Sequence, residues 1–205
     1  GLVSMEDGTM STRQGRVVFL EDVLNRAVEQ TKQIILEKNV TTENIDETAH
    51  DVGVGAVVFN ELSNYRIKDY VFSWDKVLNF EGETGPYVQY THARACSILR
   101  RAGEDTVKAA KKGFDTSWIT GESAHHLIKL LYALPKVIKE AGEKYEPSIV
   151  TRHIVDIAQG FNKFYHDEHI LVEDEKEKTA KVALVLAVQT AIKNGIVTDD
   201  VIAAF

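Results

Sequence analysis

Apolar side chains return every three or four residues along most of the chain, and only three prolines interrupt the pattern. A short strand is expected at "RVVFL", followed by a helix from Glu21 to Lys38 whose face carries Val23, Ala27, Ile34 and Leu36. The next apolar run, "IDETAHDVGVGAVVFNEL", reads as a buried helix capped at Thr42 or Asn44, with Gly53 and Gly55 suited to close packing. "YRIKDYVFSWDKVLNFEGETG" has more aromatics and fewer helix signals, which predicts an irregular crossing with one short helix.

Pro86 fits the first turn of a helix from about Gly85 to Arg101 that stops at Gly103. The polar stretch 104–120 reads as a connector, a possible mobile loop. A helix through "ESAHHLIKLLYALPKVIKEAGEKY" should bury Leu127, Leu130, Leu131, Leu134 and Ile138 and bend at Pro135. Two more helices are expected, from Pro147 to about Tyr165 and from Glu175 to Asn194, the last closed by Gly195. The pattern therefore predicts a mainly α protein, a helical bundle with a small strand-containing N-terminal part.

Composition narrows the function. The 205 residues can bury a core without covalent staples, and the single cysteine, Cys96, cannot form an internal bridge. The most apolar run is too short to span a bilayer and no leader pattern opens the chain, so a cytoplasmic protein with no membrane partner is expected. A net charge of −7 opposes broad, non-specific nucleic-acid binding. Yet Arg94 to Lys112 holds six basic and two acidic residues, a local +4 that could meet a polyanion or could be a solvated helix end.

The chemistry concentrates on two helices. Tyr87, Tyr90, Arg94, Ser97 and Arg101 share one face, while Val88, Thr91, Ala95, Ile98 and Ala102 form an adjacent apolar stripe. Rings alternating with cations suit a nucleic-acid backbone, the cation meeting phosphate and the ring stacking on a base. They equally suit a helix interface with hydroxyls at its rim. In the later helix, Ile149, Ile154, Ile157, Ala158 and Phe161 make an apolar face that ends in Asn162, Phe164 and Tyr165, residues able to read an unpaired base or to complete a core. His153, His166 and His169, near Asp167, Glu168 and Glu173, lack the spacing of a helical zinc site, so no metal is expected. No phosphate-binding Gly-Lys-Ser/Thr loop, nucleophile elbow or dinucleotide fingerprint is present.

Three ordered segments, "GTMSTRQGRVVFLEDVL", "FEGETGPYVQYTHARACSILRRAG" and "EPSIVTRHIVDIAQGFNKFYHDEHIL", resemble the C-terminal part of arginyl-tRNA synthetase, a class I aminoacyl-tRNA synthetase. The likeness runs from Gly1 to about Gly195. It implies that residues 1–40 are the end of a catalytic domain and 41–205 a helical anticodon-binding domain. Met10, Ser11, Thr12 and Arg13 then stand in the family's KMSKS loop, with Thr9 and Thr12 in place of its two lysines.

The same likeness implies tRNA(Arg) as partner, bound by Tyr87, Gln89, Tyr90, Arg94, Arg101, Arg152, Asn162 and Tyr165. The helix of Tyr87, Tyr90, Arg94 and Arg101 should meet the tRNA or brace the domain junction, and the Arg152, Asn162 and Tyr165 region should lie nearer the anticodon. The full-length family uses ATP and Mg. These residues contain no HIGH-type signature, so the chain by itself is expected to hold no cofactor and to charge no tRNA. The ending "IVTDDVIAAF" departs from the family's usual Leu/Gly-rich segment. A monomer is expected. Two alternatives stand beside tRNA binding: a free-standing module that docks on a protein, the missing catalytic domain included, through the apolar face of 16–36, and a remnant that keeps the fold without binding.

Overall fold

The computed structural model describes residues 1–6, 8–9, 17–38 and 44–196. Within it the chain divides into two compact units, Gly1–Tyr87 and Val88–Phe205. The boundary expected from the sequence lies at residue 40 instead. The difference arises because the first two long helices pack on each other as a pair and share one core.

The first unit opens with β1 (Val3–Met5) and β2 (Gly8–Thr9), followed by α1 (Leu20–Glu37) and α2 (Ile45–Ser63). Glu21 and Asp22 lie in the first turn of α1, where carboxylates oppose the helix dipole. Asn44 caps α2, its side chain accepting from the Glu47 backbone N–H at 3.2 Å. Thr42, the other expected cap, lies outside the described residues.

Gly53 sets the approach of the two helices. A Cβ there would lie 2.9 Å from the Ala27 carbonyl and from the Val28 Cα, so only hydrogen fits. Ala27, Ala56, Val57, Phe72, Val77 and Leu78 form the core of this unit.

Two expectations fail here. The strand at "RVVFL" is absent: residues 17–19 have no regular structure, and Leu20 already belongs to α1. Val17, Val18 and Phe19 are exposed rather than packed on a sheet. Arg16 lies outside the described residues. Conversely, the crossing expected to be irregular contains β3 (Tyr70–Phe72) besides the short helix α3 (Trp74–Val77). Its Phe72 is buried, and β3 pairs parallel with β1 in a three-stranded sheet ordered β2-β1-β3. A three-residue strand held by a partner nearly seventy residues away leaves little local pattern.

Helix α4 (Gly85–Ala102) begins in the first unit and runs through the second. It ends at Gly103, whose φ of 84° is costly for residues with a side chain. The expected connector at 104–120 instead holds α5 (Glu104–Lys112) and a 3-10 turn, Thr116–Trp118. Its composition is polar because it buries little beyond Ala110 against the last helix. Acidic Glu104 and Asp105 at its start, Lys111 and Lys112 at its end, and a Lys108–Glu104 pair at 2.9 Å supply helix support of other kinds.

The remaining elements are α6 (Glu122–Lys144), α7 (Ser148–Asp167) and α8 (Glu175–Ile196), which pack on one another. Leu127, Ile154, Ile157, Phe161, Phe164, Val182, Val185, Val188 and Ile192 fill the core with Val88, Ala95 and Ile98 of α4. The apolar face expected for α6 is only partly buried. Leu130, Leu131 and Leu134 are only partly buried and Ile138 is exposed. Gly195 does not close α8, which continues to Ile196. A Cβ at 195 would fall 2.6 Å from Ile154, so this glycine serves helix packing. The atypical ending beyond Ile196 lies outside the described residues.

Candidate nucleic-acid interface

On α4, the apolar stripe faces the core: Val88, Thr91 and Ala95 are fully buried and Ile98 nearly so. That fixes the helix rotation and turns Tyr90 and Arg94, one turn apart, to its edge. On α7, Phe161 and Phe164 are fully buried, which places Asn162 and Tyr165, again one turn apart, at the rim of the same junction.

Five side chains meet there. The Arg94 guanidinium donates from Nη1 to Asn162 Oδ1. Asn162 Nδ2 donates to the Thr91 hydroxyl at 3.0 Å. The Arg94 Cζ lies 4.9 Å from the Tyr90 ring centroid and 5.2 Å from that of Tyr165, within range of cation–π attraction to both. Tyr90 is 54% exposed and Tyr165 41%, so both rings keep surface open to solvent. Among the described residues no carboxylate pairs with Arg94. Its charge is oriented but not neutralised, which is the chemistry of a site for an anion flanked by stacking surfaces.

Of the residues named from sequence, the structure unites Tyr90, Arg94, Asn162 and Tyr165. It adds Thr91, which the periodicity placed in the apolar stripe; a hydroxyl at a core position was the available signal. Tyr87 is half-buried in the first turn of α4, its N–H bonded to the Thr84 hydroxyl at 3.2 Å. Gln89 is half-buried, and its Oε1 is buried with no partner among the described residues. Arg101 is exposed in the last turn of α4, and Arg152 is exposed on α7 about 15 Å along the helix from Asn162. Neither joins the cluster. Met10, Ser11, Thr12 and Arg13 lie outside the described residues.

The histidines serve other ends. His153 bonds the Leu130 carbonyl at 2.9 Å, and exposed His166 pairs with Asp167 at 3.2 Å. Among the described residues no group of three or more His, Cys, Asp or Glu could hold a metal ion. His92 of α4 is met by the Gln189 amide N–H of α8 at 3.1 Å. Burial, followed by the Lys193 charge, holds its pKa below the ordinary value. A separate apolar groove of about 580 Å³ lies between α6, α8 and the segment after α5, lined by Phe114, Ile128, Tyr132 and Leu184 among others. None of the Arg94 cluster lines it.

Comparison with known proteins adds to this geometry. The family model described as "DALR anticodon binding domain" matches residues 88–198, and "tRNA synthetases class I (R), catalytic domain" matches 1–74. The protein named arginine–tRNA ligase from Halothermothrix orenii is 57% identical over 196 residues, 96% of this chain and 34% of that protein. That from Clostridioides difficile is 53% identical over the same shares. The chain thus spans about a third of the length of the curated relatives it matches. Among solved structures, Thermus thermophilus arginyl-tRNA synthetase is similar with a TM-score of 0.84 and 30% identity, covering 95% of this chain and 32% of that one. The Plasmodium falciparum enzyme, at 22% identity and a TM-score of 0.75 over 88% of this chain and 32% of that one, shares the fold.

Proposed function

This chain belongs to the DALR anticodon binding domain family, and from that premise we propose that it binds the anticodon stem and loop of an arginine tRNA through the face of Tyr90, Arg94 and Tyr165. The observation that carries the reading is a cation without a carboxylate partner among the described residues, held against two partly exposed aromatic rings. Phosphate would meet the guanidinium and an unpaired base would stack on a ring, a contact worth about 1–3 kcal/mol. Arg101 and the basic residues of α5 would extend the positive surface along the RNA backbone.

The wider role is recognition within a ligase that joins arginine to tRNA. ATP and Mg would belong to that longer enzyme. No described helix is long and apolar enough to cross a membrane, and a cytoplasmic, monomeric protein fits the role. The test is a titration with arginine tRNA at low and high salt, for the chain and for Arg94→Ala. Salt-sensitive binding that the substitution weakens supports the reading; binding indifferent to both salt and substitution refutes it.

A second reading rests on Val17, Val18 and Phe19, just before α1, and Leu20, its first residue, all exposed. This run would dock a protein surface, in which case dimerisation or partner capture, rather than tRNA binding, would follow purification.

A further inference from the structure

We infer that Asn162 is a positioning residue that orients the Arg94 guanidinium without cancelling its charge, so that the cluster discriminates among nucleotides instead of only attracting phosphate. The inference rests on the RNA-binding reading above and concerns how that site works.

An arginine side chain has several rotatable bonds and considerable rotamer entropy, so a guanidinium held by no partner samples many orientations. Here a hydrogen-bonded circuit removes that freedom. Thr91 and Arg94 are one turn apart on α4, and Asn162 reaches across from α7 to bridge them. Its Nδ2 grips the fully buried Thr91 hydroxyl, which fixes the plane of the amide. The amide oxygen then faces Arg94 and takes one of its N–H groups. With that edge held and the Tyr90 and Tyr165 rings beside the guanidinium, its remaining N–H groups point in a set direction.

The choice of amide over carboxylate matters. An aspartate could accept the same hydrogen bond, but its charge would neutralise Arg94 and repel phosphate. Asparagine separates orientation from charge compensation. A single unpaired nucleotide, its base on a tyrosine and its polar edge or phosphate on the guanidinium, is the ligand such an arrangement fits.

The two properties can be dissected. The chain and its variants Asn162→Ala, Asn162→Asp, Arg94→Lys and the double Asn162→Ala/Arg94→Lys are titrated over a salt series with arginine tRNA and with the same tRNA carrying a changed anticodon. Asn162→Ala is expected to lower the preference for the correct anticodon about tenfold while keeping the salt dependence, because Arg94 stays charged but loses its orientation. Arg94→Lys should do the same, and Asn162→Ala should add nothing on that background. Asn162→Asp should instead reduce the slope of log affinity against log salt by about one. An Asn162→Ala penalty that persists undiminished beside Arg94→Lys, or an Asn162→Asp variant with an unchanged slope, overturns the inference.

A readout on the free chain separates failure of this inference from failure of the RNA reading. In nitrogen-detected NMR, Arg94 should show slowly rotating, resolved Nη signals that collapse to an average in Asn162→Ala. Averaged signals in both proteins overturn the positioning role whatever the RNA results. Resolved signals in a chain without anticodon preference uphold it and refute the reading of the ligand.

Discussion

The Lys181 ammonium of α8 and the Glu168 carboxylate that follows α7 lie 3.2 Å apart, with both side chains largely shielded from solvent. Glu177 joins Lys181 at 2.9 Å, and the His169 carbonyl accepts from it at 3.0 Å. A Cβ on Gly121, the residue before α6, would overlap the Glu168 carboxylate. One charged knot therefore ties the end of α7 to α8 beside the start of α6.

Removing the cation should cost more than the pair contributes, because the carboxylates remain. Lys181→Met is expected to lower stability by roughly 3 kcal/mol, the usual order for stranding a buried charge. Burial pulls the Lys181 pKa down, but hydrogen bonds to Glu177 and Glu168 outweigh it and hold it above the ordinary 10.5. Because the folded value is the higher one, the contribution is complete below the ordinary lysine pKa and is lost as pH rises through the folded value. Denaturant melts of both proteins at neutral and strongly alkaline pH check both points.

His92 should make the second unit sensitive at the acid end. Its pKa is lowered from 6.5, by burial first and Lys193 second, so the unfolded chain takes up a proton before the folded one does. Stability is then full above the ordinary histidine range and falls as pH drops below 6.5 towards the folded value. His92→Gln should flatten that part of a stability-versus-pH curve measured by urea unfolding. An unchanged slope would place the sensitivity elsewhere.

Two glycines should respond to alanine in opposite directions. Gly103 has φ 84° with open space where a methyl group would sit, so Gly103→Ala brings only backbone strain, about 1–2 kcal/mol. Gly142 lies inside α6 with similar open space and ordinary helical geometry. Gly142→Ala should therefore raise stability by about 0.5–1 kcal/mol. Thermal melts of the two variants settle the signs.

Long amphipathic segments made the helices legible. Val88, Thr91, Ala95 and Ile98 announced the buried side of α4, and the same periodicity put Tyr90 and Arg94 at its edge. What escaped the sequence depended on distant partners. Tyr70–Phe72 is a strand only because Val3–Met5 lies beside it, and Glu104–Lys112 is a helix with scarcely any apolar face to reveal it. The site was visible as residue types but not as a constellation. Asn162 and Arg94 are 68 residues apart, and nothing in either helix alone says that they touch or that Arg152 and Arg101 stand away from them.

Anticodon recognition is tested most directly by the affinity of the chain for arginine tRNA compared with the same tRNA carrying a changed anticodon, at two salt concentrations. Binding that weakens with salt, and weakens further with the altered anticodon, is the expected result. Equal, feeble affinity for both RNAs at either salt would contradict it.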